Sequence, residues 1–187
     1  NIRLFEAVQT VSKNASGYFD IASSKAHYVA KHVIVATGFY DIPVRMNIPG
    51  EDLPKVTHYY KDPHYYAFQN VLVVGGNNSA VDAALETWRK GAHVTMVMQD
   101  AQVGERVKYW VRPDVVNRIA EGSIQAFTSS TLAAIREYEA DVCTPNKIVT
   151  IKNDFVIAMT GYQPNFSFLQ KMGIALKKKK KIHPYYN

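Results

Sequence analysis

With 187 residues and 47% apolar content, the chain has material for one complete packed domain plus part of another, and it is neither disordered nor fibrous. The net charge of +6 is local, because the run Lys177 to Lys181 supplies five of those charges. Without interleaved aromatics or a groove-reading helix, that run reads as a solvated segment, and no nucleic-acid partner is expected. No apolar run reaches the roughly 18 to 20 residues a spanning helix needs, and no charged-then-apolar leader opens the sequence. A single cysteine, Cys143, excludes an intrachain disulfide framework. The expectation is a cytoplasmic protein with no membrane partner.

In chain order, the first predicted elements are strands. Ile2 to Val8, Tyr18 to Ala22 and Tyr28 to Ala36 read as a meander, with turns at Asn14-Ala-Ser-Gly17 and Ser23-Ser-Lys25 and a fully buried end at Val33-Ile-Val-Ala36. Asp41 to Pro54 carries three prolines and a glycine, which is linker chemistry. A new βα unit starts at Val71. Val71 to Val74 is a continuous apolar strand of the kind a two-sided parallel sheet buries. The helix after it puts Val81, Ala84, Leu85 and Trp88 on one face, and Gly91 suits the residue just past its end. Val94 to Met98 is the second strand of a βαβ unit. Arg112 to Gly122 is predicted as a short helix opened by Pro113. Leu132 to Arg136, Glu139 to Cys143 and Ile148 to Ile151 form a second meander, and Phe155 to Ala158 a last buried strand. Two segments end alike, Val33-Ile-Val-Ala-Thr-Gly38 with Pro43 and Val156-Ile-Ala-Met-Thr-Gly161 with Pro164, an internal repeat.

The strand-to-helix turn Gly75-Gly-Asn-Asn-Ser-Ala80 carries the chemistry. Such a turn gathers free backbone N–H groups at the positive end of a helix, which suits a pyrophosphate. Gly75 permits the tight turn, and Gly76 keeps the backbone bare. Asn77 stands where the usual fingerprint has glycine, on the expectation that asparagine can take left-handed backbone. Ala80 is small enough for helix and strand to pack closely, and Asn78 or Ser79 is expected to add side-chain hydrogen bonds to phosphate. A glycine match alone is weak, but a strand before it and an amphipathic helix and second strand after it supply the confirming context. A plain tight turn is the bland alternative.

Residues after the second strand decide which nicotinamide dinucleotide fits. A carboxylate there bonds a ribose 2′-hydroxyl, whereas arginines pair with a 2′-phosphate. Gln99 and Asp100 end the strand, with Arg106, Lys108 and Arg112 following. Asp100 favours NADH and the three cations favour NADPH. The expectation is NADPH, with NADH open, because the cations otherwise lack a task.

The paired Thr-Gly endings flanking a dinucleotide fold resemble the two-dinucleotide-binding-domain flavoproteins, of which thioredoxin reductase is the familiar member. Ala36-Thr-Gly38 with Pro43 and Ile48-Pro-Gly50 is similar to the FAD-domain motif of that family, and Asp154 to Asn165 to its second such element. The resemblance covers nearly the whole chain. It implies an α/β fold: a Rossmann-like NAD(P)H domain at 55–165, with a parallel sheet and an antiparallel meander. A β-rich part of a discontinuous FAD domain precedes it at 1–54, and a lysine-rich return segment follows at 166–187. Ala36, Thr37 and Gly38 would touch FAD, and Gly161 and Gln163 would approach the nicotinamide. Gly75 to Asp82, Gly104 to Asp114 and Thr160 to Asn165 look most like the bacillithiol-disulfide reductase group. That group lacks the Cys-x-x-Cys of thioredoxin reductase, and here Thr57 to Ala67 holds no cysteine.

The implied function is an NADPH-dependent flavoprotein oxidoreductase that reduces a low-molecular-weight disulfide such as bacillithiol disulfide, works as a homo-oligomer and serves redox homeostasis. The family's flavin-holding glycine fingerprint and C-terminal Gly-Asp segment are not found in the chain, so the alternative is a non-catalytic NAD(P)-binding module. No general acid or base presents itself and no metal site is expected, since six histidines are scattered without ligand spacing. Cys143, with no cation beside it, reads as a small structural residue. The aromatic run His58-Tyr-Tyr60 and His64-Tyr-Tyr66 reads as hinge packing, with a place near flavin and substrate as the alternative.

Overall fold

The computed structural model describes residues 1–175, so the lysine run at 177–181 lies outside the described residues. The described chain divides into two units, one formed by 1–42 with 163–175, the other by Pro43–Tyr162.

In the first unit, β1 (Val8–Lys13), β2 (Phe19–Ser23) and β3 (His27–Ala30) form an antiparallel meander. Its first turn closes as the sequence suggests. The Asn14 side-chain oxygen accepts the N–H groups of Ser16 and Tyr18, and Gly17 takes the positive φ of 82°. Two expectations need correction. The first strand begins at Val8, not Ile2, because Glu6 and Ala7 are tied to the next turn by Ser23 and Ser24 side chains instead of a ladder. Val33 to Ala36 forms no strand. Ile34 is 91% exposed, since an apolar run becomes a strand only when another strand takes its backbone groups.

Two short strands mark the passages between the units, β4 (Ile42–Pro43) on the way in and, later, β13 (Tyr162–Gln163) on the way out. The second unit runs β5 (Val56–Thr57), a 3-10 turn at Pro63–Tyr66, β6 (Asn70–Val74), α1 (Asn78–Arg89), β7 (His93–Val97), α2 (Arg112–Ala120) and β8 (Gln125–Phe127). It continues with β9 (Thr131–Ile135), β10 (Glu139–Cys143), β11 (Ile148–Lys152) and β12 (Phe155–Ala158); after β13 the first unit resumes with α3 (Ser167–Lys171). Five parallel strands are ordered β5-β12-β6-β7-β8, and β9 to β11 form a separate antiparallel sheet.

This unit has three layers. Val71 and Val73 of β6 point into one core with Val81, Ala84 and Leu85 of α1 and Val115 of α2; Leu72 points the other way, against Leu132, Ala140 and Val142 of the meander. A strand covered on both faces must be apolar at every position, which is why its sequence is an unbroken Val-Leu-Val-Val run. Gly91 and Gly122, at φ 86° and 81°, end α1 and α2 as C′ residues. Residues 43–54 belong to this unit, because Met46, Ile48 and Leu53 pack on the meander core. Among the described residues no helix is long and apolar enough to cross a membrane.

Candidate functional site

β6 leads through α1 to β7 on one side, while β12, last in sequence, lies on the other, so the sheet changes winding direction between β6 and β12. A crevice opens at the carboxyl ends of the strands at such a point. A cavity of about 520 Å³ lies there, lined by Val74, Gly75, Gly76 and Asn77 from the turn, Gln99 and Asp100 beyond β7, and Met159 and Thr160 beyond β12. Val44 to Met46 and Ile48 wall one side, and Ser130 to Leu132 another.

The turn is held by its neighbours. Gly75 donates to the Val97 carbonyl at 2.9 Å, and Met159 donates to Val74 at 2.9 Å. Gly75 has φ +125°, and a Cβ there would lie 2.8 Å from the Met159 carbonyl oxygen. A Cβ on Gly76 would lie 3.0 Å from the Met98 sulfur. Gly75 is therefore required both by close approach to a backbone and by its backbone angle, whereas a Cβ on Gly76 would crowd only the flexible Met98 side chain. Asn77 is different: its φ of −100° is extended, so the left-handed conformation expected of it is not used, and any L-residue is accommodated. Its side chain makes no capping bond, which leaves the first turn of α1 without a cap from its own N-cap residue. Ala80 is fully buried under the turn. This cradle fits a dinucleotide pyrophosphate, with a turn of bare glycine backbone leading into the uncapped start of a 12-residue helix.

The other sequence-derived site residues separate into three groups. Asn78 does not face the cavity; its amide bonds Arg106 O at 3.2 Å and accepts Lys108 N at 2.9 Å, clamping residues 104–108 beside the turn. Gly104 donates to Gly76 O at 2.9 Å in the same clamp. Ser79 is exposed on the first turn of α1 and does not line the cavity.

The three cations form the second group. Lys108 pairs with Asp82 at 2.9 Å, Arg112 bonds the Val103 carbonyl at 3.4 Å and buries its Nε, and Arg106 is exposed; none lines the cavity. Lys108 thus has a carboxylate partner, whereas the Arg112 Nε is buried without a hydrogen-bond partner.

Residues near the unit passages are the third group. Gly161, at φ 96°, follows Thr160, while Gln163 falls in the first unit. Ala36, Thr37 and Gly38 are exposed coil, with open space around a Cβ built on Gly38.

Sequence reasoning missed Arg45, Met46 and Ile48, because a proline-rich stretch carries no sign of where it will dock. Glu51 organises that stretch. Only 5% exposed, it accepts the N–H groups of Met46 at 2.8 Å and Asn47 at 2.7 Å, and it lies 3.3 Å from both Arg45 Nε and His58 Nε2. Burial pushes its carboxyl up, but the two N–H groups, Arg45 and His58 together hold it below the usual carboxylate range.

Both readings of the aromatic run meet packing within this unit. Tyr60 and Tyr66 pack on the helix-side core, burial and then the Glu86 carboxylate raise the Tyr60 phenol, and Tyr65 is exposed. Cys143 is exposed at the end of β10, so its surroundings place little demand on it.

A three-layer α/β unit with a glycine turn at a winding switch is the architecture of dinucleotide-binding proteins. The chain belongs to the pyridine nucleotide-disulphide oxidoreductase family, which it matches over residues 1–187. It is similar to bacilliredoxin reductase Bdr of Bacillus subtilis (strain 168), 42% identical over 94% of this chain and 54% of that protein. Two solved structures are also similar. Bacillithiol disulfide reductase Bdr from Bacillus cereus is 40% identical with a TM-score of 0.86 over 96% of this chain and 56% of that one. Its counterpart from Staphylococcus aureus is 34% identical with a TM-score of 0.87, over 96% and 55%. The chain thus spans about half the length of these relatives.

Proposed function

We propose that this chain supplies the nicotinamide-dinucleotide site of a Bdr-like disulfide reductase. The observation that carries the reading is the cavity at the winding switch, floored by Gly75 and Gly76 and facing the uncapped start of α1. Gly75 and Gly76 would let the pyrophosphate reach backbone N–H groups, Val74, Met159 and Leu132 would shield the dinucleotide from water, and Thr160 would fix the nicotinamide end. Orientation of this kind is the main contribution of a protein to hydride chemistry. The bound dinucleotide supplies the hydride. Reduction of a low-molecular-weight disulfide such as bacillithiol disulfide is the reading for the whole reductase, suggested by the names of the relatives, and FAD belongs to that same reading. A binding module without turnover is the second reading for this chain, which spans about half the length of its relatives.

Calorimetric titration of the purified 187-residue chain with NADH and NADPH tests the proposal, after its absorbance is recorded for flavin. Saturable binding of either dinucleotide supports it; binding of neither sinks it. Nicotinamide oxidation with added FAD and a disulfide then distinguishes enzyme from module.

A further inference from the structure

We infer that Met46 and Met159 form a paired oxidation site for hydrogen peroxide, and that their conversion to sulfoxides weakens the hold of the cavity on a dinucleotide. The inference rests on the reading of the cavity as a dinucleotide site.

Of the five methionines in the chain, Met46 and Met159 line the cavity. They reach it from opposite sides of the sheet. Met46 comes in on the stretch that docks on the meander and packs on the meander-side core, whereas Met159 follows β12 and packs on the helix-side core. Both are half-buried. Met96 and Met98, by contrast, are 0% and 1% exposed, and Met98 is packed against the backbone of Gly76. Oxidation follows access, so one small region holds two thioethers on the cavity wall and two sealed behind it.

The step is an oxygen transfer. The thioether sulfur attacks a peroxide oxygen, an S–O bond forms as the O–O bond breaks, sulfur gives up two electrons, and the second oxygen leaves as water. A flexible apolar side chain becomes a polar one, and dedicated sulfoxide reductases can restore it. The wall that these two residues belong to is apolar at Ile48, Val74, Val97 and Leu132 as well. A dinucleotide seated against it would strip water from the new sulfoxide oxygens, which costs affinity unless a donor takes the place of that water. Conversely, a bound dinucleotide covers the wall and keeps peroxide from it. Weakened binding and protection are two readouts of one arrangement.

The test treats the full chain with hydrogen peroxide, in a Cys143→Ser background that removes the thiol, and follows each methionine by peptide mass spectrometry. Met46 and Met159 are expected to oxidise about tenfold faster than Met96 and Met98. Saturating NADP⁺ is expected to slow those two about fivefold and to leave Met172, in the other unit, unchanged. After peroxide is removed, calorimetry is expected to show NADPH bound about fivefold more weakly than by the untreated sample. That ratio should approach unity in the double variant Met46→Leu with Met159→Leu and fall part of the way in either single variant, each compared with its own untreated sample. Met46 and Met159 oxidising no faster than Met98, NADP⁺ binding without slowing them, or an oxidised chain binding as tightly as before overturns the inference and leaves the dinucleotide site standing. A loss that persists in full in the leucine variants overturns it as well. Binding of no dinucleotide before peroxide is added overturns the site itself, and the coupling with it.

Discussion

Gly50 and Gly122 make a matched pair for measuring one contact. Both have the same backbone, φ +82° and +81°, and both lie in the Pro43–Tyr162 unit. A Cβ on Gly122 meets nothing within 4 Å, whereas a Cβ on Gly50 would sit 1.9 Å from the Ile135 carbonyl oxygen and 2.7 Å from its carbon. Alanine at Gly122 therefore carries only the left-handed strain, about 1–2 kcal/mol. Alanine at Gly50 carries that strain and must also push a backbone away by more than an ångström. That breaks the Ile135 N to Pro49 O bond of 2.9 Å, worth about 1 kcal/mol. It also overpacks the contact at about 1–3 kcal/mol. The expected gap between the two variants is about 2–4 kcal/mol, the sum of these last two costs. Urea unfolding followed by tryptophan fluorescence reads it cleanly, because both tryptophans, Trp88 and Trp110, are in this unit. Since Arg45, Met46 and Ile48 reach the cavity from the same stretch, Gly50→Ala is also expected to weaken dinucleotide binding and Gly122→Ala to leave it alone. Equal losses in the two variants, within about 0.5 kcal/mol, would refute the docking of residues 44–50 on β9.

Other expectations follow from the same geometry. Asn77→Gly should change dinucleotide affinity by only a few fold, since the backbone there is extended and the amide makes no capping bond; a loss beyond tenfold, about 1.4 kcal/mol, would make the amide a ligand. Gly76→Val should abolish tight binding with a modest loss of stability, because a branched side chain must displace Met98 and enter the cavity; unchanged affinity by calorimetry would contradict this. The Glu51 carboxyl has its folded pKa below the unfolded value, so the stability it contributes is complete above about pH 4.3 and is lost as pH falls through the folded pKa. The stability gap between wild type and Glu51→Gln, measured by urea unfolding, should thus be full near neutrality and shrink below about pH 4; a gap constant down to pH 3 would show that the charge is not what holds Met46 and Asn47. Cys143 should react with a thiol reagent in the folded protein, and Cys143→Ser should alter stability by less than about 0.5 kcal/mol.

Elements whose signals are local were legible in the sequence. Val71 to Val74, the Val81-Ala84-Leu85 face and Gly91 place a strand, a helix and its end within a residue or two, and the β9 to β11 meander is equally plain from its turn residues. Gln125–Phe127 was not legible as a strand, because three residues carry no periodicity and only the edge of β7 makes them one. Val33 to Ala36 erred in the other direction: its composition is that of a buried strand, yet a ladder needs a second chain segment, which composition does not supply. The site divides the same way. Gly75, Gly76, Gln99 and Asp100 are found by motif and spacing, while Arg45 and Thr131 arrive through tertiary docking that has no local mark. Lys108 and Arg112 show the converse, cations near the site in sequence whose partners could be read only from the fold.

The order of the parallel strands has one more consequence. β5, the first strand of the sheet in sequence, pairs with β12, the last, and Val44 N donates to Gly161 O at 2.9 Å, so the polypeptide enters and leaves the Pro43–Tyr162 unit at one spot. A body whose two ends touch can be set into a host loop without stretching either partner, and its ends can be joined by a few residues into a ring. Residues 43–162 are thus built as a cassette: new ends can be opened at an exposed turn such as Pro145-Asn146, and the old ends sealed, without moving any strand of the sheet.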